Sequence, residues 1–121
     1  MKILIVDDNE EAADSLGMLL EVYGYEVAVR YWAAQGLAEA ERSRPDAILH
    51  DIAMPAMNGH EAVTRLRANP DFRGTLIVAI SGYDSLEDRQ QAKASGFDLL
   101  LVKPVDLQVL LKLLRKREGL Q

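Results

Sequence analysis

Four charged residues stand at the ends of apolar runs: Asp7 and Asp8 after Lys2-Ile3-Leu4-Ile5-Val6, Asp51 after Ala47-Ile48-Leu49-His50, and Lys103 after Leu99-Leu100-Leu101-Val102. A parallel α/β sheet gathers the carboxyl ends of its strands along one edge, and that edge is where such folds bind ligands. Three acids and a lysine would then converge. Gathered carboxylates repel one another unless a hard cation or a lysine offsets them, so the pattern points to a divalent metal site beside a reactive carboxylate.

Each residue also has a plainer reading. Asp7 and Asp8, followed by Asn9, suit the cap of a first helix, although two adjacent acids exceed what one cap requires. Asp51 follows what reads as a buried central strand, where a carboxylate needs compensation. Lysines are mostly surface residues, but Lys103 comes directly after four apolar residues. Ser81-Gly82, after Leu76 to Ile80, is by itself only a turn signal. Its weight comes from the other four residues.

The elements that must position these groups follow from periodicity. Apolar runs of strand length alternate with helical stripes, which implies βαβ units and a parallel sheet. Strands are expected at Lys2 to Val6, Glu26 to Arg30, Ala47 to Asp51, Leu76 to Ile80 and Leu99 to Val102. Most are continuous Ile, Leu and Val, as when helices cover both faces, and the less apolar second suits an edge. The first helix carries Ala12, Leu16, Leu19, Leu20 and Tyr23 on one stripe and stops at Gly24. A third starts at Asn58 with Glu61 three residues on, and the last sets Leu107, Leu110, Leu111 and Leu114 behind Asp106. The fourth, about Ser85 to Ser95 and ended by Gly96 and Phe97, has only Leu86 and a few alanines to bury. It is expected to be the least firmly anchored.

The bulk composition narrows the function. The 121 residues, 49% hydrophobic, suffice for one core, and a single domain over 1–121 is expected. A net charge of −5 disfavours general nucleic-acid binding. With no cysteine, thiolate metal sites and disulfides are excluded, which fits a cytoplasmic location. No signal-peptide pattern or membrane-length apolar run is seen, so no membrane contact is expected.

With these residues in order, each behind its own strand, the chain resembles the receiver domain of two-component response regulators over its whole length. Asp7-Asp8 match the acidic pair, Asp51-Ile52-Ala53-Met54-Pro55-Ala56-Met57-Asn58-Gly59 the phosphoacceptor segment, Ser81 the hydroxyl position, and Lys103-Pro104 the lysine and proline. The resemblance implies a flavodoxin-like (βα)5 fold with a five-stranded parallel sheet in order 2-1-3-4-5. It implies that Asp51 takes a phosphoryl group from a histidine kinase or histidine phosphotransfer protein. It further implies that Mg2+ is held by Asp8 and Asp51 directly, by Asp7 through water and by the Ala53 carbonyl, and that Lys103 and Ser81 contact the phosphoryl oxygens. A cis peptide before Pro104 becomes plausible, and the surface of the fourth helix, fifth strand and fifth helix becomes the output face. Apart from its own phosphorylation and dephosphorylation, no catalysis is expected.

The chain also departs from the family pattern. The switch aromatic, usually three residues before the lysine, is Leu100 here, which suggests a damped switch. Ala53 offers no side chain to orient attacking water, and Tyr83 either overhangs the site or is merely exposed, so slow self-hydrolysis is expected. The wording around Ser81-Gly82-Tyr83 and Leu101 to Leu107 leans toward receivers attached to hybrid sensor histidine kinases. Three other readings compete. A flavin carrier would need a phosphate cradle where Asp7, Asp8, Glu10 and Glu11 repel phosphate. An aspartyl-intermediate phosphatase would need a second acid and a substrate pocket. A phosphorylation-independent scaffold would be expected to have lost site residues.

Overall fold

The computed structural model describes residues 1–119; the final two positions of the expected 1–121 domain lie outside the described residues. In chain order the elements are β1 (Lys2–Val6), α1 (Glu10–Val22), β2 (Glu26–Arg30), α2 (Ala33–Ser43), β3 (Ala47–Asp51), α3 (Gly59–Ala68), a 3-10 turn (Pro70–Phe72), β4 (Leu76–Ser81), α4 (Leu86–Ser95), β5 (Leu99–Val102) and α5 (Leu107–Arg117). The strands form one parallel sheet in the order β2-β1-β3-β4-β5. This is the flavodoxin-like order, with β2 at an edge as its weaker hydrophobicity suggests. Four strands have the bounds read from the sequence; the fourth runs one residue further and takes in Ser81.

Side chains alternate across the strands, so the sheet separates two cores. Ile3, Ile5, Leu49, Val78 and Ile80 face α1 and α5, where Leu20, Leu110, Leu111 and Leu114 close over them. Leu4, Val6, Ile48, Ile77 and Ala79 face the other layer, which brings in Val63 and Leu66 of α3 and Ala92 of α4. Burying such a side chain stabilises the fold by about 1.5–3 kcal/mol each. β3 and β4 are buried along their whole length and form the centre of the molecule.

The helix starts are local chemistry. Asn9 Oδ1 accepts from the Ala12 amide, Asn58 Oδ1 from the Glu61 amide, and Asp106 Oδ1 from the Gln108 and Val109 amides. At α4, Ser85 Oγ accepts from the Asp88 amide while Asp88 Oδ2 accepts from the Ser85 amide, a reciprocal cap. Gly24, just beyond α1, has φ +94°, a conformation that disfavours a side chain.

Two expectations about buried faces are corrected. α1 turns Ala13, Gly17 and Leu20 to the core, while Ala12, Leu19 and Tyr23 remain exposed and Leu16 is half-buried. Here the small residues carry the contact: a Cβ on Gly17 would stand 3.1 Å from Val29 Cγ2, so the helix lies close on β2. In α4, Leu86 is exposed and Ala92 is the buried residue.

Candidate functional site

The carboxyl ends of β1, β3, β4 and β5 bring the sequence's charged residues together. Asp7 continues the pairing of β1 with β2, its amide donating to the Arg30 carbonyl at 3.1 Å. Its Oδ1 accepts from the Asn9 amide at 2.9 Å. Asn9 then caps α1, so the capping role passes to it, and Asp7 Oδ2 is left to face Lys103. Asp51 ends β3 and is 3% exposed. Its Oδ1 accepts from the Ala53 amide at 3.3 Å, and its Oδ2 lies 3.2 Å from Lys103 Nζ. The same Nζ is 3.3 Å from Asp7 Oδ2. Asp8 is exposed, yet Asp7, Asp8 and Asp51 each offer a carboxylate oxygen within 4.8 Å of the others.

Ser81 lies at the end of β4, paired with Val102 of β5, and the Lys103 amide donates to its carbonyl at 2.7 Å. The Ser81 hydroxyl accepts from the Tyr83 amide at 3.0 Å. The Lys103–Pro104 peptide is cis. Tyr83 is 75% exposed, so of its two readings the exposed loop aromatic is the one observed. A groove of about 460 Å3 opens beside Lys103 and Pro104, against Ala12, Leu16 and Leu19 of α1.

The loop from β3 to α3 is wound tightly under Asp51. The Ile52 amide donates to the Ile80 carbonyl at 3.0 Å, and the Ile52 carbonyl accepts from Met54 and Gly59 amides at 3.0 and 2.9 Å. A Cβ on Gly59 would stand 2.6 Å from the Asp51 carbonyl oxygen and 2.7 Å from Ile52 Cα, so this position has no room for a side chain. Ala56 holds φ +66°, unfavourable for any residue but glycine and its few substitutes.

Electrostatics follow from the packing. Burial, aided by the neighbouring Asp7 carboxylate, pushes Asp51 up to about 6 despite the opposing pull of Lys103. Burial would favour the neutral form of Lys103, but the Asp51 and Asp7 carboxylates outweigh it and hold its pKa above the ordinary lysine value. One ammonium thus stands beside a cluster of three acids, paired with two of them. An excess of negative charge lined only by oxygen donors is suited to a hard divalent cation such as Mg2+.

Reading the sequence by charge missed His50, which looked like the last member of an apolar run. It is 2% exposed in the middle layer of the sheet, between Val6 of β1 and Ala79 of β4. Its Nδ1 lies 2.8 Å from the Asp51 carbonyl oxygen, an acceptor, so Nδ1 carries the proton. Nε2 is buried with no partner among the described residues. Leaving such an acceptor unmade costs about 1–3 kcal/mol. A polar residue ending an apolar strand was the only available signal. Two further residues went unread: Trp32, half-exposed where β2 leads into α2, and Arg89, whose Nη1 donates to the Leu100 carbonyl at 3.1 Å. Leu100 itself is buried.

Residues 3–115 match the family model described as the response regulator receiver domain. The chain is 39% identical over 116 residues to an uncharacterised 14.6 kDa protein from the sodA1 3′ region of Leptolyngbya boryana, covering 96% of this chain and 88% of that protein. It is 36% identical to the transcriptional regulatory protein PrrA of Mycobacterium tuberculosis, covering 98% of this chain but only 51% of PrrA. Its structure is similar to that of the chemotaxis response regulator CheY4 of Vibrio cholerae, with TM-score 0.89 and 34% identity over 96% of this chain and 97% of that one.

Proposed function

This chain belongs to the response regulator receiver domain family, and from that premise we propose that Asp51 is its phosphoacceptor, charged by the phosphohistidine of a histidine kinase or phosphotransfer protein. The observation that carries this reading is the setting of Asp51: a buried carboxylate at the end of the central strand, one oxygen on the Ala53 amide and the other on Lys103, with Asp7 and Asp8 alongside. In the proposed transfer an Asp51 oxygen attacks phosphorus, the nitrogen–phosphorus bond of the donor breaks, and its electron pair stays on the leaving imidazole. An acyl phosphate forms on Asp51. The cost of such a transfer is mainly positioning and charge neutralisation.

The residues divide that work. Asp7, Asp8, Asp51 and the carbonyl of Ala53 would hold Mg2+, which when bound supplies positive charge against the acids and the incoming phosphoryl oxygens. Lys103, kept charged by its two carboxylate neighbours, is placed to release Asp51 and pair with a phosphoryl oxygen. Ser81 would exchange its contact with the Tyr83 amide for one with another phosphoryl oxygen. Because Asp51 has a raised proton affinity, Lys103 and a bound cation also favour its ionised, nucleophilic form at neutral pH.

The output surface is proposed to be α4, β5 and α5, which carries exposed Leu86, Val102 and Val109. Leu100 lies buried at the switch position with its carbonyl held by Arg89, which supports a damped switch in which Leu100 moves little on phosphorylation. Ala53, with no side chain to orient water, supports a long-lived acyl phosphate. No helix among the described residues is long and apolar enough to cross a membrane.

Intact mass after incubation with Mg2+ and acetyl phosphate tests the central reading. One phosphoryl group gained by the wild type, and none by Asp51→Asn or in the presence of a chelator, is expected. No gain by a folded, Mg2+-binding wild type would instead make the chain a scaffold that has kept the residues and lost the chemistry.

A further inference from the structure

The main chain at Asp51 is held from several directions. The Ile52 amide is bonded to β4 through the Ile80 carbonyl, and Gly59 packs within a missing methyl of the Asp51 carbonyl. The third restraint is His50, whose ring comes from the α2–α3 side of the sheet and donates Nδ1–H to that same carbonyl at 2.8 Å. The cost of the arrangement sits on the other ring nitrogen: Nε2 is sealed among Val6, Ala79 and their neighbours and accepts from no donor among the described residues. A leucine would fill a comparable volume with no orphaned polar atom. The expense is therefore not explained by packing, and among the described residues the one hydrogen bond the ring makes is the bond to Asp51.

We propose that His50 is a positioning residue for the phosphoacceptor, fixing the Asp51–Ile52 peptide through Nδ1 so that the Asp51 carboxylate and the Ala53 carbonyl keep their places around the metal and the phosphoryl group. The proposal rests on the phosphoacceptor reading of Asp51. The lever is short. The Asp51 carbonyl begins the peptide whose next residue leads to Ala53, and the Ala53 amide in turn holds Asp51 Oδ1. A tilt of that peptide therefore moves a carboxylate oxygen and the carbonyl of Ala53 together.

Three variants separate this role from simple filling of the core. Asparagine presents an amide N–H near the place of Nδ1, glutamine near the place of Nε2, and leucine presents neither. The expected result is that His50→Leu melts at the same temperature as the wild type or higher, yet is phosphorylated by acetyl phosphate about 10-fold more slowly and binds Mg2+ more weakly in calorimetry. His50→Asn should recover most of both, to within about threefold of wild type, and His50→Gln should not. A His50→Leu protein with unchanged rate and Mg2+ affinity would overturn the proposal. So would an Asn variant no better than Gln, a comparison that decides the matter even if the Leu variant fails to fold. Should the wild type gain no phosphoryl group, the phosphoacceptor reading fails, while the Mg2+ affinities of the same variants still decide whether His50 positions this peptide.

Discussion

α4 and α5 flank the same strand, β5, from opposite faces of the sheet, and they are held by different forces. α5 buries Leu110, Leu111 and Leu114 in the core. α4 buries Ala92 and relies on polar contacts at its two ends: the Ser85–Asp88 cap and the Arg89–Leu100 bond at its start, and His60 on Ser95 and Arg67 on the Gly96 carbonyl at its finish. Hydrophobic burial scales with area and is lost only when the helix leaves the core. Hydrogen bonds at helix ends are worth about 1 kcal/mol each and can be exchanged for water one at a time. α4 can therefore shift or fray locally while α5 opens only with the whole fold, as expected if the responsive part of an output surface is drawn from its least stable element.

Removing the strongest anchor gives the largest effect. Leu110→Ala, at a fully buried position, should lower global stability by about 3 kcal/mol in urea titration. Any comparable loss from Ala92→Gly beyond about 1 kcal/mol would show α4 to be packed as firmly as α5 and break the comparison.

Neutralising the site tests whether the contrast comes from packing or from charge. Asp51 binds its proton more tightly in the folded state, near pH 6 against an ordinary 3.8. The stability this proton confers is complete below the unfolded value and is lost as pH rises through about 6. Metal-free wild type should thus gain stability from this group on acidification from pH 7 to about 5. Asp51→Asn should lack that slope and be more stable at pH 7 by on the order of 2 kcal/mol. Thermal melts with chelator at the two pH values measure both. Amide exchange in α4 should be unaltered relative to α5 if packing sets the contrast.

Smaller effects sharpen the picture. Ser85→Ala should cost about 1 kcal/mol, appearing as faster amide exchange confined to the start of α4. Leu86→Gln, at a position 72% exposed, should change stability by less than about 0.5 kcal/mol. A larger loss would mean that Leu86 supports the fold.

The same contrast explains what the sequence made legible. β1, β3 and β4 announce themselves as unbroken aliphatic runs, and the charged residues ending them converge because a parallel sheet aligns its carboxyl ends. The anchors of α4 have no periodicity: Ser85 and Asp88 cap each other locally, Arg89 and Arg67 donate to the Leu100 and Gly96 carbonyls, and His60 meets the Ser95 hydroxyl, which together leave no stripe to read. On α1, hydrophobicity favoured Leu19 and Tyr23 over Ala13 and Gly17, because a close approach selects for small size and not for apolar area. His50 was hidden for a related reason: its contribution is a single bond to a main-chain atom, invisible to any count of side-chain types.

Trp32 gives the fold a practical property. It is the only tryptophan of the chain, half in solvent, two residues beyond Arg30, whose carbonyl holds the Asp7 amide. The protein thus carries its own fluorophore two residues along the chain from a hydrogen bond to the acidic edge, within a separate strand-to-helix turn. Following Trp32 emission during a Mg2+ titration tests, without any label, whether this turn responds to events at Asp7 and Asp8, and its half-wet indole leaves room for the signal to move in either direction.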